Sequence, residues 1–391
     1  MGHSDKILHW LVLLLILIGL VEIFSAYSIP RIVYYSVYYP EEISLLFKSL
    51  KPIFFTLFIY AIGFGIYFLL IKVELSKLNR FFSGKNILYL TIFTLILMFI
   101  VVVEKFIFHL HANRWIIGPK HTILITGLVI LTAFLFLSYQ LAKKSIDWFK
   151  VGFYLTLIEL FLILQPDTGT FLLIFFGFLT VLFLKKENKW LHKTYIGLTS
   201  LFAIGSFFII LVSKLSLQIP NFLEGTPFSH LIVRINNWLD PFSDVTARSY
   251  QIANSLYAVH RGGFDGVGYG FGMRKLYMGP TVHTDFIFAT IGEEMGFIFA
   301  IFIFVITLLL LLRLLNIAYR FKGEFERYFT ILVAFETFAM AIMNAGMAVN
   351  LLPSKGWPYP LISYAPFFVL FYIIQIGVIQ YFVRKRFYEV F

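Results

Sequence analysis

The sequence has no cysteine, and only 14% of its 391 residues are charged. The absence of cysteine excludes disulfides, thiolate metal ligands and a cysteine nucleophile. The low charge excludes an ordinary soluble domain, in which about 25% of the residues are charged. Hydrophobic residues make up 60% of the chain, and phenylalanine alone contributes 48 of them. This composition predicts a protein that lies in lipid.

Long apolar runs divide the chain into membrane spans, each of which needs roughly 20 mostly apolar residues. Ten runs approach or exceed this length, at residues 7–27, 53–74, 86–104, 121–142, 150–165, 169–185, 195–214, 284–312, 328–352 and 361–383. The first run is longer than the h-region of about 7–15 residues of a signal peptide, so we interpret it as a span. The sequence therefore predicts an all-α, polytopic transmembrane helical bundle of about ten spans, as one integral membrane domain over residues 1–391.

The distribution of lysine and arginine orients this bundle. With ten spans, the predicted cytoplasmic segments hold 18 of these residues and the short external loops hold seven. The positive-inside rule then places both termini in the cytoplasm. The net charge of +11 belongs to this pattern and to contacts with anionic membrane lipid, and no nucleic-acid partner is predicted.

One external segment, residues 215–283 between spans seven and eight, is too long for a simple connector. Its six glycines within residues 262–272 permit positive φ angles and close approach of backbones. A nucleotide-binding P-loop is not predicted, because no strand precedes these glycines and no GK[ST] follows them. Two hypotheses remain for the glycine-rich stretch, a tightly folded re-entrant turn and a segment in direct contact with substrate.

Acidic residues occur where span eight begins. Asp285 lies at its predicted external mouth, and Glu293 follows about 12 Å deeper along an ideal helix. Carboxylates within a membrane helix are costly and are usually functional. Asp285 is therefore either a functional acid or the N-cap of the helix. For Glu293 and Glu294 we favour hydrogen bonds to neighbouring loops and helices.

Three other polar segments interrupt the apolar runs. Asp167, in the break between spans five and six, is predicted to cap the following helix. Arg114 and Trp115, between spans three and four, suit either a phosphate contact or an anchor at the membrane interface. The segment 344–364 is interpreted as an external turn, in preference to a helix break that lines a cavity.

In chain order, the motifs QPDTGT, WLDPF, RGGFDGVGYG, HTDFIFATIGEEMG and LLPSKGWPYPLISY resemble those of the SEDS family, which includes RodA and FtsW. The matching segments run from about Asn113 to Tyr364. The resemblance implies a peptidoglycan glycosyltransferase that polymerises lipid II, the lipid-linked disaccharide-pentapeptide, into glycan strands. The reaction would take place at the outer face of the bacterial cytoplasmic membrane, for cell elongation or division. The implied partner is a class B penicillin-binding protein, the transpeptidase.

The resemblance also assigns roles to individual residues. Asp285 matches the essential acid of the family and becomes the expected general base of an inverting transfer. The expected substrate-binding residues are Arg114, Trp115, Lys120, Arg248, Arg274, Lys275 and His283. The expected supporting residues are Asp167, Glu293, Glu294 and Ser363. No cofactor is predicted with certainty; a divalent cation is conceivable, although no ligand cluster demands one.

The sequence departs from the family pattern at three places. Gly118-Pro119-Lys120-His121 replaces a Gln-Pro-Ser-Glu stretch, Pro280-Thr281-Val282 replaces a Pro-Glu, and Ala365-Pro366 replaces a Gly-Gly. These changes leave Asp285 in place.

Two other functions remain open from the sequence. The first is a lipid II flippase that works through four intramembrane acids, Glu22, Glu159, Glu293 and Glu336. The second is a non-enzymatic scaffold of the elongation or division complex. The motifs do not separate a RodA-like role from an FtsW-like role.

Overall fold

A computed structural model describes residues 4–38, 43–108, 115–117, 122–165, 167–185, 229–243, 245 and 249–390, and these ranges are almost entirely α-helical. The helices are α1 (Lys6–Ile23), α2 (Ile29–Tyr38), α3 (Ile43–Lys72), α4 (Leu75–Phe81), α5 (Gly84–Ile107), α6 (Thr126–Leu141), α7 (Trp148–Leu164), α8 (Thr168–Leu184), α9 (Ser229–Leu239), α10 (Tyr250–Gly262), α11 (Ile287–Arg320), α12 (Glu324–Ala348) and α13 (Pro366–Val390). A π-helical turn, Phe24–Ser28, joins α1 to α2. Strands β1 (Trp115–Ile117) and β2 (Thr122–Leu124) pair as an antiparallel hairpin, with Ile116 opposite Ile123.

Six helical segments among the described residues are long and apolar enough to cross a membrane. They are Lys6–Tyr38, Phe47–Lys72, Gly84–Ile107, Ile287–Arg320, Glu324–Ala348 and Pro366–Tyr388. The shorter helices α6, α7 and α8 occupy the predicted spans four to six. Helices therefore lie at nine of the ten predicted spans, and the seventh, 195–214, lies outside the described residues. The prediction of a polytopic helical membrane protein is confirmed.

Three predicted spans begin later than the hydropathy indicates. The fourth was placed from residue 121, but β2 comes first and α6 begins at Thr126. The eighth was placed from residue 284, but α11 begins at Ile287. The tenth was placed from residue 361, but α13 begins at Pro366, because proline lacks the N–H of a helix interior and fits the first turn.

The interior of the bundle is formed by helices that are apolar on several faces. α13 packs against α3, and α12 packs against α11. Large side chains such as Phe329, Tyr372 and Phe382 are almost completely enclosed there. A helix that is hydrophobic all round is expected to be buried in protein or lipid, which accounts for this arrangement.

The predicted external loop contains the amphipathic helix α10, which packs on α11. Beyond α10 the glycine-rich stretch crosses a kink in α11 at Gly296, where φ is +77°. There the N–H of Val267 donates to the oxygen of Glu293, and the N–H of Phe297 donates to the oxygen of Gly263. A β-carbon on Gly296 would lie 2.3 Å from the oxygen of Phe264, so only glycine fits. These contacts are those of a tightly folded turn.

Candidate active site

Asp285 lies in a turn immediately before α11. The N–H groups of Thr284, Asp285 and Phe286 all donate to the backbone oxygen of Thr281, at 2.9–3.2 Å. This turn delays the start of the helix, and Phe286, not Asp285, occupies the N-cap position, with no side-chain hydrogen bond to the helix. The side chain of Asp285 is half-buried.

The Asp285 carboxylate faces the turn between α12 and α13. A β-carbon added to Gly356, which has a φ of +74°, would lie 3.1 Å from Oδ2 of Asp285. Asn344 of α12 donates its amide to the backbone oxygen of Asp285 at 2.9 Å and to that of Trp357 at 2.6 Å. One side chain thus connects the Asp285 turn to the Gly356 turn.

Ser363 joins the same two segments. Its hydroxyl donates to the oxygen of Thr284 at 2.6 Å and accepts from the N–H of Tyr359 at 2.7 Å. The N–H of Tyr364 also donates to the oxygen of His283 at 2.8 Å. These contacts give the segment 344–364 a part in positioning Asp285, which is more than the plain external turn that the sequence suggested.

The same turn reaches the first residues of α8. Nζ of Lys355 donates a hydrogen bond to the hydroxyl of Thr168. Beside it, Asp167 caps α8, because its carboxylate accepts from the N–H of Thr170 at 3.3 Å and from the hydroxyl of Thr170 at 2.8 Å. Arg234 of α9 donates to the oxygens of Ser354 and Lys355. Lys355 directly precedes Gly356, which faces Asp285, and it connects this turn to Arg234 and to the N-terminus of α8.

Sequence reasoning missed Lys355 and Arg234 as site residues. Both were visible only as charges in predicted external segments, and nothing in their spacing relates them to Asp285. The folding of α9 and of the turn 349–365 brings them together.

Glu293 and Glu294 are fully enclosed and hold residues 261–275 of the predicted external loop. Glu293 accepts from Arg261 Nη1 at 2.7 Å and from the N–H groups of Met273 and Arg274 at 3.0 Å. Glu294 accepts from Lys275 Nζ at 2.6 Å, from the N–H of Gly270 at 2.8 Å and from the hydroxyl of Ser25 at 2.5 Å. These are bonds to neighbouring loops and helices, of the kind favoured from the sequence.

Of the three basic residues of this loop that were predicted to bind substrate, the structure describes Lys275 and Arg274, and their surroundings differ. The Lys275 side chain is 2% exposed, and its ammonium group contacts Glu294, Ser25 and the oxygen of Gly270. An ammonium enclosed in this way is engaged with the protein, so its contacts do not place Lys275 among the phosphate-binding side chains. Arg274 is half-buried, and its guanidinium lies over the ring of Tyr257 at 4.8 Å.

His283 lies between two tyrosines. Its ring meets Tyr27 edge-on at a centroid distance of 4.8 Å and Tyr364 at 5.2 Å, and its Nδ1 is buried with no hydrogen-bond partner. The guanidinium of Arg31 lies over the ring of Tyr27, 3.7 Å from the ring centre. Burial, and secondarily the nearby Arg31, lower the pKa of His283 to about 4. A neutral, enclosed imidazole fits a role in packing next to Asp285 better than contact with an anionic substrate.

Three of the predicted substrate-binding residues, Arg114, Lys120 and Arg248, lie outside the described residues. Trp115 is described as the first residue of β1. Within the described ranges, no group of three or more His, Asp or Glu residues is placed to hold a metal ion.

An apolar groove is lined by residues of α10, α11 and α12. It has a volume of about 290 Å³ and is apolar, with small residues that open a gap between α11 and α12. The small residues are Gly292 and Ala300 on one side and Ala345 and Gly346 on the other. Phe288, three residues after Asp285 in the chain, also lines the groove.

Comparison with known proteins shows one consistent relationship. The profile of the family FTSW_RODA_SPOVE, described as cell cycle protein, matches residues 6–386. The chain is 28% identical to a probable peptidoglycan glycosyltransferase FtsW from Wigglesworthia glossinidia brevipalpis, over 92% of this chain and 88% of that protein. It is 30% identical to the protein of the same description from Buchnera aphidicola subsp. Baizongia pistaciae, over 93% of this chain and 88% of that protein.

Two solved structures share the fold. A chain from a structure described as the coordination of polymerization and crosslinking by a peptidoglycan synthase complex has a TM-score of 0.71 at 22% identity, and 98% of each chain is covered. The rod shape determining protein RodA of Thermus thermophilus has a TM-score of 0.61 at 20% identity, again over 98% of both chains. At these identities the likeness shows the fold of the chain.

Proposed function

The chain belongs to the cell cycle protein family of FtsW, RodA and SpoVE, and we propose that it is a peptidoglycan glycosyltransferase with Asp285 as its general base. Its substrate is the lipid-linked disaccharide-pentapeptide, lipid II, which it polymerises into glycan strands. The reaction takes place at the outer face of the bacterial cytoplasmic membrane, with both termini of the chain in the cytoplasm. The relatives described as peptidoglycan glycosyltransferases support this activity.

The observation that carries the proposal is the position of the Asp285 carboxylate. It is half-buried in a turn that α12 and the segment 349–365 hold in place, and the N-cap position of α11 is taken by Phe286. A carboxylate fixed in this way can accept a proton without rearrangement of the site.

The proposed step is an inverting displacement. A sugar hydroxyl of the acceptor gives its proton to Asp285 while its oxygen attacks the anomeric carbon of the donor. The bond from that carbon to the diphosphate breaks, and polyprenyl diphosphate leaves with the bonding electrons. Because the leaving group is good, no nucleophile of the enzyme and no covalent intermediate are needed.

Positive charge near Asp285 would stabilise the leaving diphosphate. Lys355 and Arg234 supply it in the described part of the chain, together with the N-terminus of α8. Arg114, Lys120 and Arg248 are proposed to add to it on the grounds of the sequence. Such stabilisation of developing charge is often the largest single contribution to catalysis.

A class B penicillin-binding protein is the proposed partner. The apolar groove between α11 and α12 suits the membrane helix of such a protein, because small residues let two helices approach closely in lipid. Val349, 44% exposed at the rim, offers a test. Val349→Trp should weaken co-purification with the partner, whereas Phe338→Trp, also on the exposed face of α12 but outside the groove, should not.

The deciding experiment is polymerisation of purified lipid II by this chain and by its Asp285→Asn variant. We expect the wild type to form glycan and the variant to lose about 10²–10⁴-fold in rate, as is typical when a general base is removed. Asp265→Asn, an exposed acid of the external loop, is the matched control and should polymerise normally. Normal polymerisation by Asp285→Asn would remove the general-base role.

The same assay separates the two other functions. A flippase would translocate lipid II in liposomes without forming glycan, and a scaffold would do neither. A scaffold would also support growth after Asp285→Asn.

A further inference from the structure

Two exposed tyrosines flank Arg274 on the predicted external loop, and a third exposed ring packs on one of them. The guanidinium carbon of Arg274 lies 4.8 Å from the ring centre of Tyr257 and 5.9 Å from that of Tyr277. Phe242, which follows α9 in the WLDPF motif, packs on Tyr257 with a centroid distance of 5.6 Å. We call Phe242, Tyr257, Arg274 and Tyr277 the aromatic platform. The three rings are 40–49% exposed.

The platform is fixed by buried polar groups. The backbone N–H of Arg274 donates to the enclosed Glu293 carboxylate at 3.0 Å, and its Nη1 donates to Oδ1 of Asn254 at 3.3 Å. Asn254 is itself buried and donates to the oxygen of Tyr250. A surface held in this way keeps its shape before a ligand arrives, which lowers the entropy cost of binding.

The platform is connected to the Asp285 turn through α10 and α12. Ser255, between Asn254 and Tyr257 on α10, donates to the oxygen of Ala348 at 2.7 Å. Ala348 lies one helical turn, about 6 Å, beyond Asn344 along α12. Asn344 in turn bonds the backbone of Asp285 at 2.9 Å. α10 and α12 therefore join the platform to the helix that holds the Asp285 turn.

The chemistry of the platform suits carbohydrate. A sugar ring presents an apolar C–H face, which stacks on an aromatic ring, and hydroxyls, which accept from a guanidinium. Sites of this type combine aromatic walls with a few placed polar groups. A diphosphate would use the guanidinium but would gain nothing from three flanking rings.

We propose that the aromatic platform binds the sugar rings of the growing glycan strand next to Asp285. The inference rests on the proposed polymerase activity and adds a binding site for the product of each step. A strand that stays bound between additions is extended more often before it is released. The platform should therefore set the length of the product.

The first experiment measures the length of glycan strands made from lipid II. Tyr257→Leu and Tyr277→Leu keep apolar bulk but lose the ring, and each should shorten the strands roughly twofold to tenfold, the effect of losing one aromatic contact. Tyr257→Phe keeps the ring, so its glycan strands should have the wild-type length. Phe271→Leu is the matched control, because Phe271 is an exposed ring of the same loop outside the platform. Its strands should have the wild-type length.

Two results of that experiment would overturn the proposal. Strands of unchanged length from both leucine variants would mean that the rings only anchor the loop at the membrane interface. An increase in KM for lipid II with unchanged strand length would mean that the surface binds the precursor instead.

A second experiment does not depend on polymerisation. Lipid-free glycan oligosaccharides should bind the Asp285→Asn protein, and Tyr277→Leu in that background should weaken binding roughly twofold to tenfold. Absence of binding to the Asp285→Asn protein would reject the platform even if the chain polymerises lipid II. Binding by the Asp285→Asn protein, together with a wild type that forms no glycan, would support the platform and reject the polymerase.

Discussion

The side-chain amide of Asn344 donates a hydrogen bond of 2.9 Å to the backbone oxygen of Asp285. The same amide donates to the oxygen of Trp357 at 2.6 Å. One buried residue of α12 therefore holds both the Asp285 turn and the turn that contains Gly356. The backbone of Asp285 is therefore held by α12, and its Oδ2 lies beside Gly356 in the turn that carries Lys355.

Asn344→Ala should damage activity more than stability. The change leaves buried backbone oxygens without their donor, which costs about 1–3 kcal/mol. It also releases the Asp285 turn, and a misplacement of about 1 Å at a reacting group can cost about 10²-fold in rate. The measurements are the melting temperature in detergent and the rate of glycan formation. Asn86→Ala, at an exposed asparagine, is the control, and equal rates for the two variants would exclude a positioning role for Asn344.

Gly356→Ala tests the contact on the carboxylate. Gly356 and Gly279 both have positive φ, +74° and +66°, so alanine at either should cost about 1–2 kcal/mol of backbone strain. Only at Gly356 does the new methyl group meet the Asp285 carboxylate, at 3.1 Å; at Gly279 nothing lies within 4 Å. Both variants should lose similar stability, while Gly356→Ala alone should lose polymerase activity, by tenfold or more if the carboxylate moves by about 1 Å. Similar activities would show that the contact has no catalytic importance.

The sequence predicts the helical membrane fold well because hydropathy depends on composition, which tertiary contacts do not alter. It places the start of span eight three residues early, because Thr284 and Asp285 look compatible with a helix. The turn that delays α11 is set by the oxygen of Thr281, which no periodicity reveals.

The candidate site was predictable only in part. Asp285 is marked by its motif, and Asp167 by its position before a helix. Lys355 and Arg234 reach the site through long-range folding of α9 and the turn 349–365. Lys275 was grouped with phosphate ligands because charge alone does not show that a lysine is enclosed. Its partner Glu294 lies 19 residues later, two residues before the kink at Gly296.

We expect the folded protein to lose stability in acid because of the buried imidazole of His283. Its pKa is lowered to about 4, against an ordinary value near 6.5, so the folded protein resists its protonation. The contribution to stability is complete above pH of about 6.5 and is lost as the pH falls towards about 4, by up to about 3 kcal/mol. Arg31, Tyr27 and Tyr364 are the charged or titratable groups that face it in the described structure.

The measurement is the melting temperature of the wild type and of His283→Phe between pH 7 and pH 4. The phenylalanine keeps a ring between the tyrosines and cannot take up a proton. The wild type should lose more stability than the variant over this interval. Parallel curves would show that His283 does not titrate in the folded state.

The last prediction concerns the enclosed pair of Lys275 and Glu294, 2.6 Å apart and at most 2% exposed. Glu294→Gln leaves a buried ammonium without its counter-charge, and Lys275→Met leaves a buried carboxylate in the same condition. Removing one partner of a buried pair typically costs about 3–5 kcal/mol, because the remaining charge loses its compensation. The double variant removes both charges, so it should be more stable than the sum of the single losses predicts. The difference is the coupling energy, which melting or denaturant unfolding of the four proteins in detergent measures.

Activity across the same four proteins separates the two roles considered for Lys275. If its task is to hold the external loop through Glu294, the double variant should regain part of the polymerase activity that each single variant loses. If Lys275 binds the diphosphate of lipid II, every protein that lacks it should show a raised KM, and the second change at Glu294 should rescue nothing. The geometry favours the first result, because Ser25, Gly270 and Glu294 already surround the ammonium group and leave no direction open to a lipid headgroup.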